Sequence, residues 1–239
     1  MIYKNIELVI FDLDGTLLDY RSAENLAKYR ITRDLVSVDV DAVDYWRIFS
    51  FVNKDMFRDM IAGVISKEDY RVGRFSRTLG LTVKKQIYSG EELRLFGKSF
   101  NEIYMRTVNA EIEMFSDAVI TLDILKKRNL KLAILTNGPA DGQRKKINKF
   151  GLNEQVELVH ISEETGFAKP NVDAFNNLLD ACSVDKSNAL MIGDSLEDDI
   201  EGANKGDIQT IWIDRDKVST AFSGSRVESL VEIDFSVIG

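Results

Sequence analysis

Leu8-Val9-Ile10-Phe11-Asp12-Leu13-Asp14-Gly15-Thr16 couples four consecutive apolar residues, two of them β-branched, to an acidic turn containing glycine. A run this short, with no polar residue alternating through it, reads as a strand buried on both faces, as in parallel sheets. Such a strand needs partners, and the residues that follow offer none. From about residue 19 to 111 the chain has no clear strand and no proline, and its periodicity is helical. Ser66 followed by Asp69, and Ser89 followed by Glu92, have the spacing of helix N-caps with an acid at the third position. Val43, Trp46, Phe49, Val52 and Met56 are spaced as one face of a helix. The stretch reads as a bundle of four or five helices.

From about residue 112 the pattern changes to strands alternating with helices. Strands are expected at 132–135, 156–161, 189–192 and 210–213, and helices at 117–128, 141–150, 171–182 and 198–205. Ser116 is placed to cap the first of these helices and Gly151 to end the second. Such alternation implies a parallel sheet covered by helices on both faces. The expected architecture is therefore α/β. A Rossmann-like, doubly wound core comes from residues 1–18 and 112–239, and an all-helical cap, 19–111, is inserted after the first strand.

Composition narrows the function. The chain has 239 residues, 44% hydrophobic and 29% charged, with a net charge of −8. That balance supplies a core and lacks the basic face of a nucleic-acid binder. Lys126-Lys127-Arg128 and Arg144-Lys145-Lys146 fall inside helical patterns and read as solvated faces. The single cysteine, Cys182, excludes an internal disulfide and reads as a buried thiol. The first residues lack a signal-peptide layout, and no run approaches the roughly 18 apolar residues of a membrane span. The expectation is a cytoplasmic protein, monomer or homodimer, with no membrane and no nucleic-acid polymer as partner. One histidine, His160, excludes any mechanism that needs two.

In an open parallel sheet, ligands bind beyond the carboxyl ends of the strands. Asp12 and Asp14 follow the first strand. Two apart on extended backbone, they point to one side, where a carboxylate pair calls for a cation or a shared proton. Thr136, Asn137 and Gly138 follow the second strand and supply hydrogen-bond donors for an anion, or simply a turn. Lys169 precedes Pro170 at an expected helix start, where it reads either as an anion-binding lysine or as an exposed surface one. Asp194 stands behind Gly193 at the end of the fourth strand and is a candidate metal ligand. Glu197, Asp198 and Asp199 also suit a helix N-terminus. Together these residues supply hard oxygen ligands and anion donors, a combination that suits Mg²⁺ with a phosphate.

At these positions the sequence resembles the haloacid dehalogenase superfamily. The matching motifs, in order, are Asp12-Leu13-Asp14-Gly15-Thr16, Thr136, Lys169, and Gly193-Asp194 with Asp199. The helical insertion resembles the family's C1-type cap. Leu135-Thr136-Asn137-Gly138, Ile161-Ser162-Glu163-Glu164 with Ala168-Lys169-Pro170, and Gly193-Asp194-Ser195-Leu196 resemble the YjjG/YfnB-like pyrimidine 5′-nucleotidase branch. N-acylneuraminate-9-phosphatases share much of that wording. The resemblance implies that Asp12 is a nucleophile and Asp14 a general acid and base. It implies that Mg²⁺ is held by the Asp12 and Asp194 side chains and the Asp14 carbonyl, and that Thr136 and Lys169 bind phosphoryl oxygens. Thr16, Asn137 and Gly138 are further candidates for substrate binding, and Asp199, or alternatively Asp198, orients Lys169 or metal-bound water.

The implied function is a Mg²⁺-dependent phosphatase acting on a small phosphorylated metabolite, foremost a pyrimidine nucleoside 5′-monophosphate. The alternatives are a sugar-phosphate or N-acylneuraminate-9-phosphate phosphatase, a phosphomutase, and a receiver-like regulatory domain phosphorylated on an aspartate. Three other features are assigned to structure. Gly97-Lys98-Ser99 echoes the end of a P-loop but has Glu92 where that loop needs glycine. Tyr45, Trp46, Phe49 and Phe51 could line a substrate pocket, but Trp46 and Phe49 fit the buried stripe of a helix, which favours core packing. Arg71, Arg74 and Arg77 recur every third position and read as a solvated face.

Overall fold

The computed structural model describes residues 5–83, 88–217 and 222–235. The chain ends included in the expected core, 1–4 and 236–239, lie outside the described residues. The chain forms two compact units, Met1–Asp19 with Glu113–Gly239, and Tyr20–Ile112.

The first unit is built on a parallel sheet with strand order β3-β2-β1-β4-β5-β6. Its strands are β1 (Leu8–Phe11), β2 (Lys131–Thr136), β3 (Leu158–Ile161), β4 (Ala189–Gly193), β5 (Gln209–Ile213) and the short β6 (Arg226–Val227). β1 is central. Leu8 lies opposite Lys131 on one side and Ala189 on the other. All four side chains of β1 are fully buried, each contributing roughly 1.5–3 kcal/mol. This explains why the run carries no polar residue. Leu8 and Ile10 share a face with Ala133, Leu135, Ala189 and Met191. They pack against Ala174, Phe175 and Leu178 of helix Val172–Cys182, whose last residue is the buried Cys182. Val9 and Phe11 occupy the opposite face by strand alternation. The α/β expectation is borne out.

Seen from the order of the strands, the chain runs outward from β1 through β2 to β3, then returns to β4 and runs the other way. The reversal lies between β1 and β4, where the Asp12 amide donates to the Ile192 carbonyl at 3.0 Å. This is the position at which an open sheet leaves a crevice beyond its carboxyl ends.

The second unit contains α1 (Tyr20–Leu35), α2 (Ala42–Ile61), α3 (Lys67–Thr82) and α4 (Gly90–Glu111). Ser66 accepts the Asp69 amide, and Ser89 and Glu92 form a reciprocal capping box, as their spacing implies. The apolar face of α2 is rotated from the expected one. Tyr45, Phe49, Val52, Met56 and Met60 are buried, Val43 is exposed, and Trp46 is half-buried with its indole donating to Thr32. A four-residue step from Tyr45 to Phe49 keeps the ring stack of Tyr45, Phe49, Phe75 and Phe100 on one side. Gly97 belongs to helix packing. A Cβ there would lie 2.6 Å from the Val72 carbonyl oxygen of α3.

Arg74 corrects the reading of a solvated arginine face. It is only 5% exposed. Its guanidinium donates to Asn53, Tyr70 and Asn101 and lies about 5 Å from the ring centres of Phe75, Tyr70 and Tyr104. Amide and phenol oxygens together with π faces stabilise a cation that the period-three pattern left at the surface.

The remaining helices of the first unit are α5 (Ser116–Lys127), α6 (Ala140–Lys149), α7 (Ser162–Thr165), α8 (Val172–Cys182) and α9 (Gly202–Lys205), the last entered through a π-helical turn, Leu196–Glu201. Two expected helix ends shift. Ser116 is the first residue of α5 rather than its cap, and the cap position, Phe115, makes no side-chain bond. Pro170 precedes α8, which opens behind Asn171, whose side chain accepts the Asp173 amide. No helix of the described residues is long and apolar enough to cross a membrane.

Candidate active site

The ends of β1, β2 and β4 and the loop before α8 bring the expected residues together. Lys169 is buried, and its ammonium donates at 2.6 Å to Asp12 Oδ1 and at 2.6 Å to Asp199 Oδ1. Of the two readings for this lysine, the surface one is excluded. Asp199, not Asp198, is the acid against it. The π-helical turn gives Asp198 a different place, with its amide donating to Ser195 Oγ. Asp199 is fixed from its other oxygen by the Ser195 amide at 3.0 Å.

Two glycines make the approach of these acids feasible. Gly15 has φ of +95°, and a Cβ there would lie 2.2 Å from Asp194 Oδ2. At Gly193 a Cβ would lie 2.3 Å from Asp199 Cγ. Any side chain at either position would push a carboxylate aside.

Carboxyl oxygens of Asp12, Asp194 and Asp199 lie within 4.8 Å of one another. The crowd has electrostatic consequences. Burial, and then the charges of Asp199 and Asp14, push the Asp12 acid up to about 7 against the opposing pull of Lys169. The Asp194 carboxyl is crowded by protein although the residue keeps solvent exposure. Desolvation, and then Asp12 and Asp199, push its acid up to about 8. For Lys169, burial alone would lower the ammonium, yet Asp12 and Asp199 outweigh it and hold the group well above its ordinary value. Three acids share one lysine, and Asp12 Oδ2 is buried with no hydrogen-bond partner. This donor set fits a divalent cation. Asp199 is already engaged at both oxygens, so Asp12 and Asp194 are the side chains left to hold one.

The second-strand residues take distinct places. Thr136 is buried and its hydroxyl oxygen accepts from Gln143 Nε2 at 2.5 Å, which leaves the hydroxyl hydrogen to be donated elsewhere. Asn137, a candidate for substrate, is instead tied to Lys169. Its amide donates to the Lys169 carbonyl at 2.8 Å and accepts the Lys169 amide at 3.0 Å. The Gly138 amide is likewise taken, donating to Ser162 Oγ at 3.0 Å. Both residues brace the site, because a loop that presents a buried lysine must first satisfy its own backbone. Thr16 is fully buried with an unpartnered hydroxyl, and its carbonyl accepts from Arg215 at 2.8 Å. His160 is structural. It is buried between the Thr165 hydroxyl and the Phe167 carbonyl, and burial lowers its pKa.

Residues that no motif marks complete the site. Gln143 and Lys146, on α6, both reach Asp14 Oδ2. Lys146 is 6% exposed, which corrects the solvated reading of Arg144-Lys145-Lys146. The signal available was their spacing of three on the helix that follows Thr136-Asn137-Gly138. Trp212 donates to the Asp194 carbonyl at 2.8 Å. Arg215 pairs with Asp117 through two bonds of 3.0 Å and stacks on Phe115. Extending the strand-end rule to the residues after β5 reaches Arg215.

The Asp117–Arg215 pair yields a stability prediction. Asp117 also accepts the Ser229 hydroxyl and the Leu230 amide. Burial raises its acid, but Arg215, Ser229 and Leu230 together outweigh it and hold the acid below the ordinary value. The folded state therefore favours the carboxylate more than the unfolded chain does. The resulting stability is complete above the unfolded value of about 3.9 and is lost as pH falls through the lower folded value. Asp117→Ala is expected to cost about 3 kcal/mol near neutral pH and to flatten the acid side of a plot of Tm against pH. Thermal melts of both proteins between pH 7 and 3 check this, and parallel curves would contradict it.

Comparison with known proteins follows the same lines. The haloacid dehalogenase-like hydrolase profile matches residues 6–207. A ribulose-1,5-bisphosphate 5-phosphatase of Halopiger xanaduensis is 30% identical over 96% of this chain and 94% of its own. The pyrimidine 5′-nucleotidase PynA of Streptococcus pneumoniae is 31% identical over 89% of this chain and 84% of its own. Among solved structures, the magnesium-bound HAD-hydrolase YfnB of Bacillus subtilis superposes with a TM-score of 0.72 at 25% identity, covering 98% of this chain and 99% of that one.

Proposed function

Because this chain belongs to the haloacid dehalogenase-like hydrolase family, we propose that it is a Mg²⁺-dependent phosphomonoester hydrolase in which Asp12 accepts the phosphoryl group. The observation that carries this reading is the buried Lys169 held between Asp12 and Asp199 beside the free oxygen of Asp12. A carboxylate fixed on one side and unpartnered on the other is set up as a nucleophile. Lys169 supplies preorganised positive charge for phosphoryl oxygens, and Thr136, whose oxygen is occupied by Gln143, turns its hydrogen toward them. Asp14 protonates the leaving oxygen and then takes a proton from the water that releases phosphate. The Asp12 and Asp194 side chains and the Asp14 carbonyl would hold Mg²⁺, which supplies neutralising charge against the phosphoryl oxygens. Asn137 positions Lys169 through its backbone. Substrate choice is assigned to the helical unit, residues 20–112.

The substrate proposed is a pyrimidine nucleoside 5′-monophosphate. A second reading, a sugar phosphate, is favoured by the Halopiger relative, which matches nearly the whole chain. Both names describe a phosphate on carbon 5 of a five-carbon sugar, and that ester is the common expectation. The test is inorganic phosphate release from UMP, dUMP, dTMP and a set of sugar phosphates, with Mg²⁺ and with a chelator. Release is expected from pentose 5-phosphate esters, with pyrimidine nucleotides ahead, and it stops when the metal is removed. Release that persists with the metal chelated would sink the Mg²⁺-dependent reading. Return of an isomeric phosphoester in place of phosphate would make the protein a mutase.

A further inference from the structure

Asp14 is gripped on one side only. Its Oδ2 accepts from the Lys146 ammonium and, at 3.1 Å, from Gln143 Nε2. Its Oδ1 is buried and has no hydrogen-bond partner. The two donors stand three residues apart on α6, one turn of one face. Both are inside the protein, Gln143 at 3% exposure and Lys146 at 6%. A lysine this deep needs an acceptor for its ammonium, and Asp14 Oδ2 accepts it whether or not Oδ1 carries a proton. The orientation of the Gln143 amide is fixed by chemistry. Nε2 also faces the Asn137 carbonyl at 3.2 Å and the Thr136 hydroxyl, and neither the carboxylate nor the carbonyl can donate. One side chain thus ties Asp14 to Thr136.

We propose that Lys146 and Gln143 are a positioning pair that anchors Asp14 through Oδ2 and reserves Oδ1 for proton transfer. This deepens the hydrolase reading and rests on it. In the first half-reaction an Asp12 oxygen forms a bond to phosphorus as the ester P–O bond breaks. The bond's electron pair leaves on the alcohol oxygen, which takes the proton from Asp14 Oδ1. In the second, water forms a bond to phosphorus and gives its proton to Oδ1, and the electron pair of the P–O bond to Asp12 returns to that carboxylate. The proton is restored, and the sum is ester plus water giving alcohol plus phosphate. An Asp14 free to rotate would present either oxygen, and the Oδ2 side would meet Lys146 instead of the reacting atoms.

The test uses Lys146→Met and Gln143→Leu on the full chain with two substrates. p-Nitrophenyl phosphate has a leaving group that departs without a proton, and UMP has one that needs it. With p-nitrophenyl phosphate both variants are expected to give a burst of p-nitrophenolate close to the enzyme concentration, followed by slow turnover. With UMP, or with whichever alkyl phosphate the parent turns over best, no burst of alcohol is expected. There kcat falls about 10- to 100-fold at unchanged KM, a part of what acid–base assistance contributes. Thermal melts establish that each variant is folded, and the uncharged swap at Gln143 carries the test if Lys146→Met does not fold. Variants within about twofold of the parent on the alkyl substrate would overturn the pairing alone. So would an equal loss on both substrates without a burst, which is the mark of a merely structural role. A parent chain that releases no phosphate from either substrate overturns the hydrolase reading, and this inference with it.

Discussion

Asp12→Asn is expected to lower phosphate release on the order of 10⁴-fold or more, the result that the proposed role of Asp12 as phosphoryl acceptor requires when an amide of the same shape takes its place. The structure makes a second, opposite-signed expectation for the same variant. Asp12 is one of three acids crowded around a single lysine, and its carboxylate is disfavoured by burial and by its neighbours. Taking that charge away in the metal-free protein relieves the repulsion, while Lys169 keeps Asp199 as partner. The variant is therefore expected to melt above the metal-free parent and to lose most of the rise in Tm that Mg²⁺ gives the parent. Loss of activity with an unchanged response to Mg²⁺ would place the cation somewhere other than beside Asp12.

Lys169→Met combines a loss of rate with a loss of stability. The methionine keeps the length and removes the charge, so Asp12 and Asp199 are left buried without their shared cation. Breaking a buried ion pair from one side costs about 3–5 kcal/mol. For a domain of this size that corresponds to a fall in Tm of roughly 10 °C. Turnover is expected to fall on the order of 10³-fold, because the proposed reaction uses the lysine as a fixed positive charge where phosphoryl charge develops. Lys169→Arg is not expected to restore it. A planar guanidinium with a forked donor pattern does not occupy a point between two carboxylates at 2.6 Å each. The measurements are kcat on p-nitrophenyl phosphate and thermal melts with and without Mg²⁺. An arginine variant with parental activity would show that charge alone, without its position, is what the reaction needs.

The parts of the fold that were legible in the sequence are those governed by local pattern. The unbroken apolar run of β1, the Ser66 and Ser89 caps and the alternation after residue 112 each carry a short-range physical cause. The convergence of Asp12, Thr136, Lys169 and Asp194 is legible because strand ends of a parallel sheet share one edge, whatever the final shape of that edge. What escaped was decided by distance in space. Lys146 sits in a basic triplet that suits water, and only the proximity of Asp14, 132 residues earlier, turns it inward. Arg74 has no acid three or four residues away on its own helix to announce burial, and its cage is assembled from α2, α3 and α4. Residue type gives Asn137 and Gly138 the hydrogen-bonding capacity of substrate ligands. In the structure that capacity goes to the Lys169 backbone and to Ser162, a competition invisible from residue type. The face of α2 was offset because Val43 is apolar yet exposed, while the ring stack selects Tyr45.

Covalent phosphorylation of Asp12 is the centre of this account, and it can be caught in the act. Turnover stopped with acid, followed by borohydride reduction, converts an aspartyl phosphate to homoserine, and peptide mass spectrometry then locates it. Homoserine at position 12, formed only with substrate and Mg²⁺, is the predicted result. An active enzyme that yields none, or yields it at another aspartate, would contradict it.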